Sequence, residues 1–489
     1  MNRLDTFFRS SFSEFSNPGV IGLALHRAWI ATFFFSAKAM VGVSTNGSHA
    51  DLIYPCSLIA LSLILLAGGL LPRQMKRLMQ ARAVMVASPL LVSVGSLLLL
   101  TATDSNSALA WPLLCGICTG IGSGFLLLYW GEVYGSSDST TAQIHSALAF
   151  MLALFIYALF LLLSSNLLYI LAGTILPLLS GLVLMRALRD VPGERETHPI
   201  PGGEANVFRV AVVALIISFV HAALLGVISN IPRAAAAAPS LVAAEMSYAL
   251  TLFISTLIIA VLIFITIFVS KKSDMGFIYR FVLIFMIVGV LFSPFLGMLG
   301  TLSSVIVNAG YGCFELIFWI ALSNICFRYH ISAVQVFGLG RGGWAIGVFL
   351  GSFYPPLPFM EMLHIDAPVM PFFLVAILII CVVASYVFIL PERTITTITT
   401  GYGVRRGSLQ SRCQKLSHQF SLSQRENEVL VCLVKGRDTS YIQHSLNISA
   451  GTVSTHRQRI YQKLGVHSRQ ELLDLLEETR SDGPEVLNG

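Results

Sequence analysis

Charged side chains are scarce in this chain. Only 11% of its 489 residues are Asp, Glu, Lys or Arg, while 55% are hydrophobic. A soluble globular protein carries roughly 25% charged residues. That shortage excludes an ordinary water-facing surface and places the chain in the membrane class. The eight cysteines are scattered, most of them inside apolar runs, which excludes a secreted disulfide framework. No short apolar core near the start is followed by a small-residue cleavage site, so no cleavable signal peptide is expected. Zinc-ligand spacing, a P-loop and kinase signatures are absent from the sequence as well. No metal, cofactor or catalytic residue is expected, and the chain does not read as an enzyme.

Long apolar runs dominate instead. A transmembrane helix needs about 20 mostly apolar residues, and on that measure about twelve spans can be counted. They fall near 20–43, 52–71, 84–103, 109–130, 144–163, 167–185, 210–229, 245–269, 278–299, 302–326, 332–354 and 369–390. The first is the least clear, because Arg27 and Lys38 lie in it. The connecting loops alternate in charge. One set carries Arg73, Lys76, Arg77 and Arg82, then Arg186, Arg189 and Arg195, then Lys271 and Lys272, then Arg328, then Arg393, Arg405 and Arg406. The other set holds only Arg233. Lys and Arg gather on the cytoplasmic side, so both termini are expected there.

The longest internal polar loop, residues 186–209, divides the spans six and six. That layout resembles the major facilitator architecture, two six-helix halves around a central cavity. In that family the loop between spans two and three carries a Gly, an Asp and a basic cluster. Here "GGLLPRQMKR" keeps the basic cluster but has Pro72 where the acid would stand. Ahead of the first span, Leu4, Phe7, Phe8, Phe12 and Phe15 share one helical face. They suit either an amphipathic helix on membrane lipid or a disordered tail.

Charges inside spans are costly and usually face a cavity or a partner. Glu315 is the deepest carboxylate, with Tyr311 and Trp319 a turn away on either side. The ligand-binding candidates are Glu315, Tyr311, Trp319, Arg341, Arg27 and Glu245. The bland reading of Glu315 is a structural ion pair with one of the arginines. Other motifs also have bland readings. "GLGRGG" at 338–343 matches G-x-G-x-x-G but follows no strand, so close helix packing or a helix break at Arg341 is preferred. "CGIC", Cys115 to Cys118, lies in an apolar span that disfavours a reactive thiolate. Gly116, Gly120 and Gly124 recur every four residues there, a spacing that admits a neighbouring helix. "GIGSG" matches G-x-S-x-G but lacks the strand of a nucleophile elbow. His221 reads as a satisfied core residue.

After Pro391 the composition changes, and a small helical domain begins near residue 418. "SQRE" and "SRQE" are capping boxes, Ser423 with Glu426 and Ser468 with Glu471. The first helix would bury Val429, Leu430 and Leu433 and end at Gly436. The second would start near Thr439 and bury Ile442 and Leu446. Ser449 would cap the third, which buries Val453, Ile460 and Leu464. Its other face carries Ser454, Thr455, Gln458, Arg459 and Gln462, flanked by Arg457 and Lys463. Two short helices, a tight turn and a polar, cationic second helix describe a helix-turn-helix.

The stretch "LSQRENEVLVCLVKGRDTSYIQHSLNISAGTVSTHRQRIYQKLGVHSRQELL" closely resembles the LuxR/FixJ-type DNA-binding domain, in register and without a gap. The family usually places Lys after Thr-Val and Ala after the Ile of the second helix. This chain has Ser454 and Gln443 there. The resemblance implies double-stranded DNA as partner and a DNA-binding set of Thr452, Ser454, Thr455, His456, Arg457, Gln458, Arg459 and Lys463. It also implies a homodimer on DNA, with Leu472 and Leu476 as dimer candidates, and a bacterial inner-membrane location. The expected fold is all-α: segment 1–19, membrane domain 20–390, linker 391–417, helix-turn-helix domain 418–482 and tail 483–489. Two functions remain open. One is a one-component transcriptional regulator whose membrane domain senses an unknown small-molecule ligand. The other is a major-facilitator-like transporter with a regulatory appendage.

Overall fold

The computed structural model describes residues 15–35, 52–102, 110–162, 166–189, 275–292, 298–329, 331–353, 421–434, 439–446 and 448–468, with isolated positions between 212 and 262, at 376–380, at 413–420 and at 471–475. Every regular element among them is a helix. The chain divides into two compact units, Met1–Thr400 and Gly401–Gly489.

In the first unit, α1 is Pro18–Phe35, α2 Ile53–Leu70, α3 Pro72–Met79, α4 Arg82–Ala102, α5 Ala110–Gly135, α6 Ser139–Leu162 and α7 Asn166–Ala187. After residues outside the description come α8 Met275–Phe292, α9 Met298–Tyr329 and α10 Ala333–Phe353. Five described helical stretches are long and apolar enough to cross a membrane: Ile53–Leu70, Ala110–Gly135, Thr141–Phe160, Val305–Phe327 and Ala333–Gly351. A sixth candidate is the pair α3 and α4, bent by 87°. The bend has a sequence cause. α3 is a basic amphipathic helix that buries Met75 and Met79 and exposes Arg73 and Arg77. Pro72 sits in its first turn, where the missing N–H costs nothing. The segment read as a loop is therefore a helix of its own, suited to a membrane surface rather than its interior.

Large apolar side chains stand on both the exposed and the buried sides of these helices. Leu63, Phe155 and Leu182 are exposed, as side chains against hydrocarbon can be, while Trp29, Trp130 and Trp319 are fully buried. Small residues let the helices close. A Cβ at Gly120 would stand 2.3 Å from the Ser57 carbonyl of α2, and one at Gly116 would stand 2.7 Å from that of Ile53. The glycine repeat on α5 is thus the seat of α2, as its spacing suggests. Gly338 and Gly342 do the same for α10 against α2. A Cβ on Gly338 would meet the Leu65 carbonyl at 2.5 Å, and α10 continues unbroken through Arg341. Cys115 donates its thiol to the Gly95 carbonyl across to α4 at 2.9 Å, so it serves packing there.

Several hydroxyls and ring N–H groups are paired across helices. Trp130 donates to Ser180, which donates to the Gly22 carbonyl. Trp29 donates to Ser96. Ser323 of α9 donates to the Tyr134 carbonyl of α5 at 2.5 Å, joining elements of the two expected halves.

The second unit contains α11 (Gln424–Val434), α12 (Thr439–Leu446) and α13 (Ala450–Leu464). Val429, Leu430, Leu433, Ile442, Val453, Ile460 and Leu464 form its core, while Leu446 is half-buried at the edge. Cys413 and Leu416, in the stretch read as linker, are also in this core. The packed domain therefore begins upstream of residue 418. Ser423 N–H donates to Glu426 Oε2 at 2.8 Å, and Glu426 N–H donates back to Ser423 Oγ at 3.3 Å. This is the reciprocal capping box. Gly465, left-handed at φ 69°, ends α13, and its N–H bonds the Tyr461 carbonyl.

Candidate DNA interface and buried charge cluster

Ser449 holds extended backbone ahead of α13 and accepts a hydrogen bond from Thr452 N–H at 3.2 Å. The Ile448 N–H bonds the Gln443 carbonyl, which closes the turn from α12. Val453, Ile460 and Leu464 then lock one side of α13 into the core. Thr455, Gln458, Arg459 and Gln462 emerge on the other side, all exposed. Thr452 and Arg457 are exposed on the flanks, and Ser454 and His456 are half-buried. The Thr455 hydroxyl donates to the Gly451 carbonyl, leaving its oxygen lone pairs outward.

Two expected contacts have other engagements. Lys463 donates to Glu426 Oε2 at 2.7 Å and to the Ser421 carbonyl at 3.1 Å. It ties α13 to the start of α11 with two of the ammonium's three donors, while the side chain stays 40% exposed. Leu472 is fully buried in the core. It cannot also form a dimer face without opening the domain; Leu476 lies outside the described residues. The Glu426 carboxylate is only 4% exposed. The hydrogen bond from Lys463, outweighing its burial, holds its pKa below the ordinary carboxylate range. Glu471 is likewise lowered, chiefly by the His467 backbone N–H.

In the membrane unit, three of the charges singled out by sequence come together. Arg27 of α1 donates to Glu315 Oε2 at 2.5 Å, and Arg341 of α10 donates to Oε1 at 2.8 Å. The bland ion-pair reading understated the arrangement, since both arginines share one carboxylate. The cluster spans the two expected halves, with α1 in the first and α9 and α10 in the second. Arg27 lies over the Phe150 ring of α6, 3.6 Å from its centroid, and Arg341 lies 4.4 Å from the Trp344 centroid and 5.9 Å from that of Trp319. Tyr311 is half-buried one turn before Glu315. On α1, His26 is buried against Ser123 of α5 at 3.2 Å. Phe150 and Trp344 escaped the sequence reading. Trp344 could have been found three residues beyond Arg341, but nothing near Phe150 announces it. Glu245, Lys38, His221, Gly436 and the amphipathic face before residue 15 lie outside the described residues.

Residues 420–476 match the family described as bacterial regulatory proteins, luxR family. Among curated proteins, the uncharacterized response regulatory protein YgeK of Escherichia coli K12 is 38% identical over 86 residues. The alignment takes in 17% of this chain and 58% of that protein. The transcriptional regulatory protein RcsA of Erwinia amylovora is 34% identical over 79 residues, 16% of this chain and 37% of RcsA. The chain thus spans between about a third and three-fifths of the length of these relatives. Among solved structures, a bacterial homologue of the iron transporter ferroportin aligns with 78% of this chain and 98% of its own, at 11% identity and a TM-score of 0.50. The proton:xylose symporter XylE, a major facilitator superfamily protein, aligns with 80% of this chain and 99% of its own, at 12% identity and a TM-score of 0.48. At such identities the likeness concerns fold alone. The chain is an all-α, multi-pass membrane helix bundle fused to a LuxR-type helix-turn-helix domain.

Proposed function

We propose that this chain is a membrane-embedded one-component transcriptional regulator. Its tail binds double-stranded DNA from the cytoplasmic face of a bacterial inner membrane, and its membrane domain senses a small molecule that controls that binding. One observation carries the reading: a capped, core-anchored helix presents Thr455, Gln458, Arg459 and Gln462 outward, in the same chain as a membrane bundle. Hydroxyls and amides suit base edges in the major groove, and Arg457 and Arg459 suit phosphates. Ser454, Thr455 and Gln458 occupy the base-reading positions. The ligand engages the cluster of Arg27, Glu315 and Arg341, which bridges the halves and can favour one of their arrangements. Pairing of tails, through Leu476 and its neighbours rather than Leu472, follows from that arrangement.

Genome-wide crosslinking of the tagged full-length protein to DNA in intact cells tests this, with a Ser454/Thr455/Gln458 triple-alanine control. Discrete peaks lost in the control are expected. An intact protein without peaks across growth conditions would leave the transporter with a regulatory appendage, for which flux and an unchanged transcriptome on deletion of the tail are the signs. Glu315 bears on that alternative. Both of its oxygens already accept from arginines, which suits a fixed bridge better than a carboxylate that exchanges protons.

A further inference from the structure

We infer that the membrane cluster takes an anionic ligand: a carboxylate carried on an apolar or aromatic body, held beside Arg341. This names the ligand class of the site proposed above and rests on a ligand entering the membrane domain.

Among the described residues the cluster has two guanidiniums and one carboxylate, a surplus of positive charge. Arg341 is only 1% exposed. Its Nη2 donates to Glu315, but its Nε and Nη1 are buried without a hydrogen-bond partner. The Trp344 ring beneath that guanidinium and the Trp319 ring beside it also bury their Nε1–H groups without a partner. Arginine and tryptophan side chains only donate. Four orphan donor atoms on three neighbouring side chains therefore meet no acceptor among the described residues. A buried donor left unmade is costly, and a buried unpaired cation more so. Two other buried tryptophans of this bundle do find acceptors: Trp29 reaches Ser96, and Trp130 reaches Ser180. Both tryptophans that touch Arg341 are without one.

An anion would answer both the surplus charge and the missing acceptor. A cation or a pure donor would worsen both, which reverses the sign that an acidic residue in a span first suggests. A carboxylate matches a guanidinium in shape and charge. Beside Arg341 are Trp319 and Trp344, with Phe337 behind them, its centroid 4.8 Å from that of Trp319, and Phe150 lies against Arg27. They would contact apolar or ring carbon, not further hydroxyls.

The test uses purified full-length protein in an uncharged detergent. Thermal unfolding is followed with millimolar acetate, benzoate, phenylacetate or oleate, each beside its uncharged amide. At least one acid is expected to raise the midpoint by about 2 °C or more while its amide does not, and Arg341→Gln should abolish the difference. A response to oleate alone would assign the site to a lipid-derived acid; a response to benzoate or phenylacetate would assign it to a water-soluble one. If Arg341→Gln does not fold, tryptophan fluorescence replaces it. The acid should quench wild type and leave Trp344→Phe largely unquenched. No acid exceeding its amide, or a difference that persists in Arg341→Gln or Trp344→Phe, would overturn the inference. The DNA crosslinking above is scored separately. Acid binding without DNA peaks sinks only the regulator reading, and peaks without an acid preference sink only this one.

Discussion

Each unit of this protein buries a carboxylate against cations, and the two do it by different means. In the tail, Glu426 is held by the backbone of Ser423, three residues before it, and by Lys463 on the next packed helix. In the membrane unit, Glu315 is held by Arg27, 288 residues away, and by Arg341 on the following helix. The first partly restates local helix chemistry. The second exists only once distant helices have assembled. The contrast teaches where each unit keeps its specificity. A water-facing domain specifies itself through caps and an apolar stripe, whereas a membrane bundle, apolar inside and out, relies on small residues and a few polar partners.

Breaking the membrane cluster is expected to have the largest effect. Glu315→Gln leaves two buried guanidiniums without a counter-charge and should cost about 3–5 kcal/mol, read as a fall in thermal midpoint in detergent. A joint replacement of Arg27, Glu315 and Arg341 by Met, Leu and Met should recover much of that loss. If Glu315→Gln alone were as stable as wild type, the cluster would not be the electrostatic keystone described here.

A steric break comes next. Gly120→Val places side-chain atoms against the Ser57 carbonyl of α2 and should cost about 1–3 kcal/mol, while Ile117→Val on the exposed face of the same helix should be nearly silent. Comparing yields of folded protein for the two tests whether the glycines are packing residues.

The tail's own pair should matter slightly less. Glu426→Gln is expected to lower the stability of the C-terminal domain by about 1–3 kcal/mol. The sign with pH follows from the lowered pKa of Glu426. Its contribution is fully present above the ordinary carboxylate pKa and is lost as pH falls through the lower folded value. Limited proteolysis of the tail in the full-length protein across acid pH should show wild type losing protection where Glu426→Gln changes little.

Changes to the exposed face of α13 should leave folding alone and alter DNA binding. Arg459→Ala should weaken binding on every sequence and reduce the salt slope by about 1. Gln458→Ala should shift which sites are preferred. Identical site profiles for wild type and Gln458→Ala would defeat the base-reading assignment. The smallest effect belongs to the Arg425–Glu428 pair, which joins exposed side chains. Arg425→Ala should change the tail's unfolding free energy, read by chemical denaturation, by no more than about 0.5 kcal/mol.

Legibility differed between the units for the same reason. The capping serines, the buried face of α13 and the glycine seat of α5 could all be read from spacing, because each is set within one or two turns of helix. Lys463 looked like a DNA contact because it flanks the cationic face of α13, and Leu472 like a dimer contact because the LuxR/FixJ resemblance implies one on the last helix. Their engagement with Glu426 and the domain core depends on how those helices cross. α3 looked like a loop because its residues are basic, although Pro72 and the Met75–Met79 spacing already pointed to a helix.

From the sequence alone follow the membrane class, the spans that fall on described helices and the helix-turn-helix, since hydropathy, caps and helical periodicity act over short distances along the chain; the expected spans at 210–229, 245–269 and 369–390 lie almost wholly outside the described residues. Only the tertiary structure decided that Arg27 and Arg341 share Glu315, that Phe150 lies under one of them, and that donors around Arg341 stand unanswered. In an apolar bundle no periodic signal marks which polar side chains meet; a buried charge takes whichever partner the packed helices bring within reach.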